Sequence, residues 1–149
     1  MIGFDLDGIF LPDINFPDDQ HTANIDRILD FRTRMIRTIF KPDFDFVVIT
    51  GRPMHDRGQT KFWLRQNMRD NMPKNILHFN PEMERADVYK AEVLNDNPEI
   101  DVYFESCEGQ VEYLRRNVHT GCHVVHFETF LNMAIIQRVN TIRIVRGEK

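Results

Sequence analysis

The sequence predicts an α/β fold, a single-domain doubly wound (Rossmann-like) and mainly parallel sheet of about five strands with helices on both faces. Three observations predict it. Strand-like and helix-like segments alternate along most of the chain. The strand segments are short, continuous apolar runs, which marks strands covered on both sides. The composition, 42% hydrophobic and 28% charged over 149 residues, suits one globular domain with one core.

The elements follow in order. Residues 1–5, "MIGFD", read as a short buried strand. Residues 11–20 carry Pro12, Pro17 and several acids and read as a loop. Over 22–40, Ile25, Ile28, Leu29, Met35, Ile36, Ile39 and Phe40 recur at helical spacing, with Arg27, Arg34 and Lys41 along another stripe. Residues 44–50, "FDFVVIT", are rich in Val, Ile and Phe and predict a second strand, broken by Gly51-Arg52-Pro53. A helix over 55–69 places Phe62, Trp63 or Leu64 in the core and is ended by Pro73. Residues 75–79 predict a strand, 84–95 a helix and 100–105 a strand. A helix over 107–117 follows, with Ser106 suited to its N-cap. Residues 122–127 predict a fifth strand, and a helix over 131–139 and a strand over 141–145 complete the series.

Several function classes recede on composition. The net charge of -4 gives no support for coating nucleic acid or an anionic membrane. Cys107 and Cys122 are too few for a disulfide scaffold, so a reduced, cytoplasmic setting is expected. Asp5 interrupts the opening apolar run, so no signal peptide is expected, and no run is long enough to span a bilayer. The chain has neither the glycine-rich dinucleotide fingerprint nor the phosphate loop of nucleoside triphosphatases. The six histidines form no ligand spacing for a metal, and neither cysteine is followed by the arginine of a cysteine-dependent phosphatase.

Chemistry in a parallel sheet gathers beyond the carboxyl ends of the strands. Those ends read Asp5-Leu6-Asp7-Gly8, Thr50-Gly51-Arg52 and Glu105-Ser106. Asp5 and Asp7 are two apart, so an extended segment points both the same way. Gly8 permits a turn and frees amide groups for an anion. An ordinary Asp-Gly turn is the plain alternative.

"FDLDG", "VVITGR" and "KAEVLNDNPEIDVYFES", in this order, resemble the motifs of the haloacid dehalogenase-like phosphohydrolase superfamily. The resemblance spans nearly the whole chain. It implies a Mg²⁺-dependent phosphomonoesterase that works through an aspartyl-phosphate. Asp5 would be the nucleophile and Asp7 the general acid and base. Thr50, with Gly51, would hold a phosphoryl oxygen, and Arg52 could face the substrate. Lys90, preferred to Lys74 for its place before the fourth strand, would neutralise charge beside Asp5. The metal ligands would be Asp5, the backbone of Asp7, and Glu105. The chain departs from the family where many relatives carry a second acid, since it reads Glu105-Ser106-Cys107. A ligand belonging at the second of these positions would be replaced by a hydroxyl, weakening the metal site.

Relatives often insert a cap domain. The 9–43 segment is mostly one amphipathic helix, so a capless, open site is expected. The expected partner is a small phosphorylated substrate, with a nucleotide or a nucleic-acid end as candidates and no membrane. The second reading is a catalytically weak member that binds a phosphorylated ligand or a partner protein.

Overall fold

A computed structural model of the protein describes residues 1–11, 42–79 and 85–132. The expected helix over 22–40, its basic stripe, most of the 9–43 segment in which no cap is expected, most of the expected helix over 131–139 and the strand over 141–145 lie outside these residues. The described elements are β1 (Ile2–Phe4), β2 (Phe46–Pro53), a 3-10 turn (Met54–Asp56), α1 (Arg57–Met68), β3 (Asn75–Phe79), α2 (Ala86–Asp96), β4 (Val102–Glu105), α3 (Glu108–Asn117), β5 (His123–His126) and α4 (Phe127–Asn132).

The five strands form one parallel sheet in the order β3-β2-β1-β4-β5. Alternation along each strand divides the core in two. Ile2, Phe4, Phe46, Val48, Val102 and Phe104 face one side, where Trp63, Leu64 and Met68 of α1 and Phe127 and Phe130 of α4 cover them. Phe4 stacks on Phe104 at 5.0 Å and meets Phe46 edge-on at 5.7 Å, so this side is an aromatic layer. Val47, Ile49, Tyr103 and Val124 face the other side, under Ala91 and Leu94 of α2 and Val111 and Leu114 of α3. The expected fold class is therefore the observed one, and helices cover both faces.

Helix stripes explain the docking. In α1, Thr60, Trp63, Leu64 and Met68 are buried, a spacing that lines one face. Phe62, between them in sequence, is 58% exposed. The helix stops at Arg69, whose φ is +47°, and not at Pro73. In α2 the buried stripe is Asp87, Lys90, Ala91 and Leu94, so a lysine points inward. β2 does not end at Thr50. It runs to Pro53, with its register against β3 shifted between Thr50 and Pro53. The last described helix begins at Phe127, directly after β5, so Phe127 starts a helix where the expected strand was to end.

One glycine is required by packing. A Cβ on Gly3 would lie 3.1 Å from Cδ2 of Tyr103, 3.3 Å from Ile100 and 3.5 Å from Val47. The bare backbone of β1 lets the Tyr103 ring on β4 lean across it. The phenol then donates to the Ile49 carbonyl of β2 at 2.9 Å. Gly3→Val is expected to cost about 1–3 kcal/mol through overpacking, read as a lower urea midpoint. An unchanged midpoint would mean that the ring has room to move aside.

Candidate active site

The order of the strands sets the location. From β1 the chain builds outward to β2 and β3, then returns to β1's other side to lay down β4 and β5. The crevice at such a reversal opens beyond the carboxyl ends of the two inner strands. Asp5 follows β1, Glu105 ends β4, and Thr50 lies in neighbouring β2. The Asp5 amide donates to the Phe104 carbonyl at 2.8 Å, which fixes Asp5 beside the end of β4.

Lys90 is the hub. It is 1% exposed, and its ammonium lies 3.1 Å from Asp5 Oδ1, 2.7 Å from Glu105 Oε2 and 2.9 Å from Gln110 Oε1. Three acceptors match the three hydrogens of an ammonium. Burial alone would favour neutral lysine, but Asp5 and Glu105 together hold Lys90 above the usual lysine value. Burial raises Asp5 well above its usual carboxylate value, and the charge of Glu105 adds to this while Lys90 opposes it. Burial works to raise Glu105 too, but Lys90 outweighs it and holds Glu105 below the usual range.

Glu105 takes a different place from that expected of a metal ligand. It is 0% exposed. Its Oε1 accepts the amides of Ser106 at 3.0 Å and Cys107 at 3.1 Å, while Oε2 faces Lys90 and, at 3.4 Å, the Tyr103 phenol. Both oxygens are turned to the protein, so Glu105 braces Lys90.

A second cluster fixes Asp7. Arg52 donates from Nε to Asp7 Oδ2 at 2.9 Å and from Nη2 to Asp7 Oδ1 at 2.8 Å, a two-point fork. Its Nη1 reaches Asp56 Oδ2 at 3.0 Å, and the Thr60 hydroxyl donates to the same oxygen at 3.0 Å. Arg52 is 3% exposed. Expected to face a substrate, it instead clamps Asp7 between the sheet and α1. Burial weakens its charge, but Asp7 and Asp56 more than offset this and raise Arg52 above the usual arginine value.

Thr50 is fully buried, and its Oγ1 accepts the Arg52 amide at 3.1 Å, which leaves the hydroxyl hydrogen to donate. Gly51 is exposed at the rim, where a Cβ would come within 3.2 Å of Ala86 Cβ. Gly8, at φ +82°, makes the expected turn. Its amide donates to the Leu11 carbonyl at 2.7 Å, so this N–H is not free for an anion.

Ser106 is not the helix cap. Cys107 occupies that position without a side-chain bond, and the Ser106 hydroxyl turns inward to donate to the Asp7 carbonyl at 2.8 Å, with Asp5 Oδ2 at 3.4 Å. Three hard oxygens therefore meet: Asp5 Oδ2, the Asp7 carbonyl and Ser106 Oγ. This donor set suits a small divalent cation that keeps several waters, although it brings a single negative charge. No cluster of three or more His, Cys, Asp or Glu side chains able to hold a metal occurs among the described residues.

Sequence reasoning missed Asp56 and Gln110. Asp56 and Thr60 are four apart where the 3-10 turn runs into α1, a spacing that lets two side chains meet, whereas Arg52 lies on β2 and gave no such signal. Gln110 had no such signal. His78, on β3 opposite Thr50, is buried with no hydrogen-bond partner among the described residues for either ring nitrogen, and burial lowers its basicity.

No protein-family model, curated protein or solved structure matches the chain. The functional reading therefore rests on the site itself. Among the described residues, no helix is long and apolar enough to cross a membrane.

Proposed function

We propose that the protein is a haloacid dehalogenase-like phosphohydrolase, a Mg²⁺-dependent phosphomonoesterase working through an aspartyl-phosphate on Asp5. The observation that carries this reading is the buried Lys90 ammonium 3.1 Å from Asp5 at the reversal of strand order. A fixed positive charge there offsets the negative charge that gathers as a phosphoryl group is transferred.

The residues divide the work. A carboxylate oxygen of Asp5 attacks phosphorus, and the bond to the leaving oxygen breaks. Asp7 is oriented by the Arg52 fork, and with one of these two contacts opened it gives a proton to that oxygen and afterwards takes one from the attacking water. Water then displaces Asp5 and releases phosphate. The Thr50 hydroxyl donates to a phosphoryl oxygen. Asp5, the Asp7 carbonyl and Ser106 are the residues that would hold Mg²⁺, which when bound would neutralise phosphoryl charge.

The test is hydrolysis of a generic aryl phosphate with and without Mg²⁺, in protein shown free of contaminating phosphatase. Metal-dependent turnover is expected, and its absence would favour the second reading, a protein that binds a phosphorylated ligand without hydrolysing it. A separate measurement addresses the donor set. Ser106→Asp adds a carboxylate where the hydroxyl stands, so Mg²⁺ binding without substrate should tighten about tenfold or more by calorimetry. Unchanged affinity would place the cation elsewhere.

A further inference from the structure

Beside the reacting groups lies a cavity of about 340 Å³ lined by Gly8, Ser106, Phe127, Glu128 and Leu131. It adjoins the site through Ser106, whose hydroxyl donates to the Asp7 carbonyl, and through Gly8, which follows Asp7. Its far wall is α4, and two contacts hold that wall in place. The His126 ring bridges the Ser106 carbonyl at 3.2 Å and the Thr129 hydroxyl at 2.9 Å. Phe127 packs edge-on against Phe104 of the aromatic layer at 6.3 Å.

We infer that this cavity seats the leaving group of the substrate, and that this group is a compact apolar body carrying a positively charged amine. The inference rests on the phosphatase reading and deepens it. The volume is near the lower end for small-molecule sites, which span about 300–1,000 Å³, and so suits a single small group. Phe127 and Leu131 supply apolar lining, and Leu131 remains 39% exposed, so it has surface left to bury. Glu128 is the one charged side chain among the described lining residues, and it makes no ion pair with another described residue. An amine entering beside Glu128 meets an opposite charge. A second phosphate or a carboxylate meets a like charge, which disfavours polyphosphates and nucleic-acid ends.

Three matched esters test this: 4-(2-aminoethyl)phenyl phosphate, 4-ethylphenyl phosphate and 4-(2-carboxyethyl)phenyl phosphate. They share a phenyl leaving group and differ in charge at the far end. In the unaltered protein with Mg²⁺, kcat/KM is expected to favour the amine over the carboxylate at least about fivefold, the scale of an exposed charge contact applied with both signs. Glu128→Gln should remove most of that preference, and Glu128→Lys should reverse it, each judged against the neutral ester in the same variant. Leu131→Asp should lower kcat/KM for the neutral ester. Equal kcat/KM for the three esters, or an order that Glu128→Lys leaves unchanged, would overturn the inference while leaving the phosphatase reading intact. No turnover of any ester would overturn the phosphatase reading, and the inference with it.

Discussion

Asp5→Asn is expected to lower aryl phosphate turnover by at least about 1,000-fold and, at neutral pH, to raise the unfolding midpoint. The loss follows from chemistry, since an amide oxygen cannot replace the carboxylate as nucleophile. The gain follows from linkage. Asp5 titrates well above 3.8 in the folded protein, chiefly because it is buried and next to Glu105. A carboxyl raised in this way binds more protons folded than unfolded. It leaves stability untouched below its unfolded value, opposes folding increasingly as pH climbs between the two values, and opposes it fully above the folded one. A neutral isostere removes that opposition, while Lys90 keeps Glu105 and Gln110 as acceptors. Thermal melts at pH 4 and pH 7 beside the assay check both halves. Retained turnover would reject Asp5 as nucleophile, and a lower midpoint at pH 7 would reject its raised titration.

Lys90→Met is expected to cost about 3–5 kcal/mol, because it strands two buried carboxylates around an apolar side chain. Adding Glu105→Gln should recover much of that loss, since the double variant leaves fewer uncompensated charges. The coupling between the two changes, measured by urea unfolding of the four proteins, should be about 1–3 kcal/mol in magnitude. Simple additivity would mean that Lys90 and Glu105 do not depend on each other. Any activity left in Lys90→Met should show its acid limb displaced to higher pH. Lys90 is the cause that lowers Asp5, so its removal lets the nucleophile protonate sooner as pH falls.

The sheet was legible because each strand is a continuous apolar run, a pattern that few other structures require. Asp5, Asp7 and Thr50 were legible because each sits in or just beyond the carboxyl end of an apolar run, and Lys90 because its helix precedes the fourth strand. Lys90 carried an added signal, since it falls in the same helical stripe as Ala91 and Leu94. The roles of their partners were less visible. Ser106 has strong N-cap preference, and local preference cannot register that the Asp7 carbonyl lies within hydrogen-bond reach. Arg52 read as a free arm because Asp56 and Thr60 become its neighbours only once β2 runs to Pro53 and the 3-10 turn swings the chain back. Gln110 touches Lys90 from 20 residues away, a contact made only by packing α3 against α2. Glu105 sat where a ligand was expected, yet two amides of its own loop and one lysine take its oxygens.

The phenol of Tyr103, leaning over Gly3 to the carbonyl of Ile49, has a dynamic consequence. Parting β1 from either neighbour disturbs the same ring, so the middle three strands cannot peel away singly. Their amide hydrogens should exchange with solvent only in a shared, near-global opening, whereas those of β3 and β5 at the margins should exchange through smaller fluctuations.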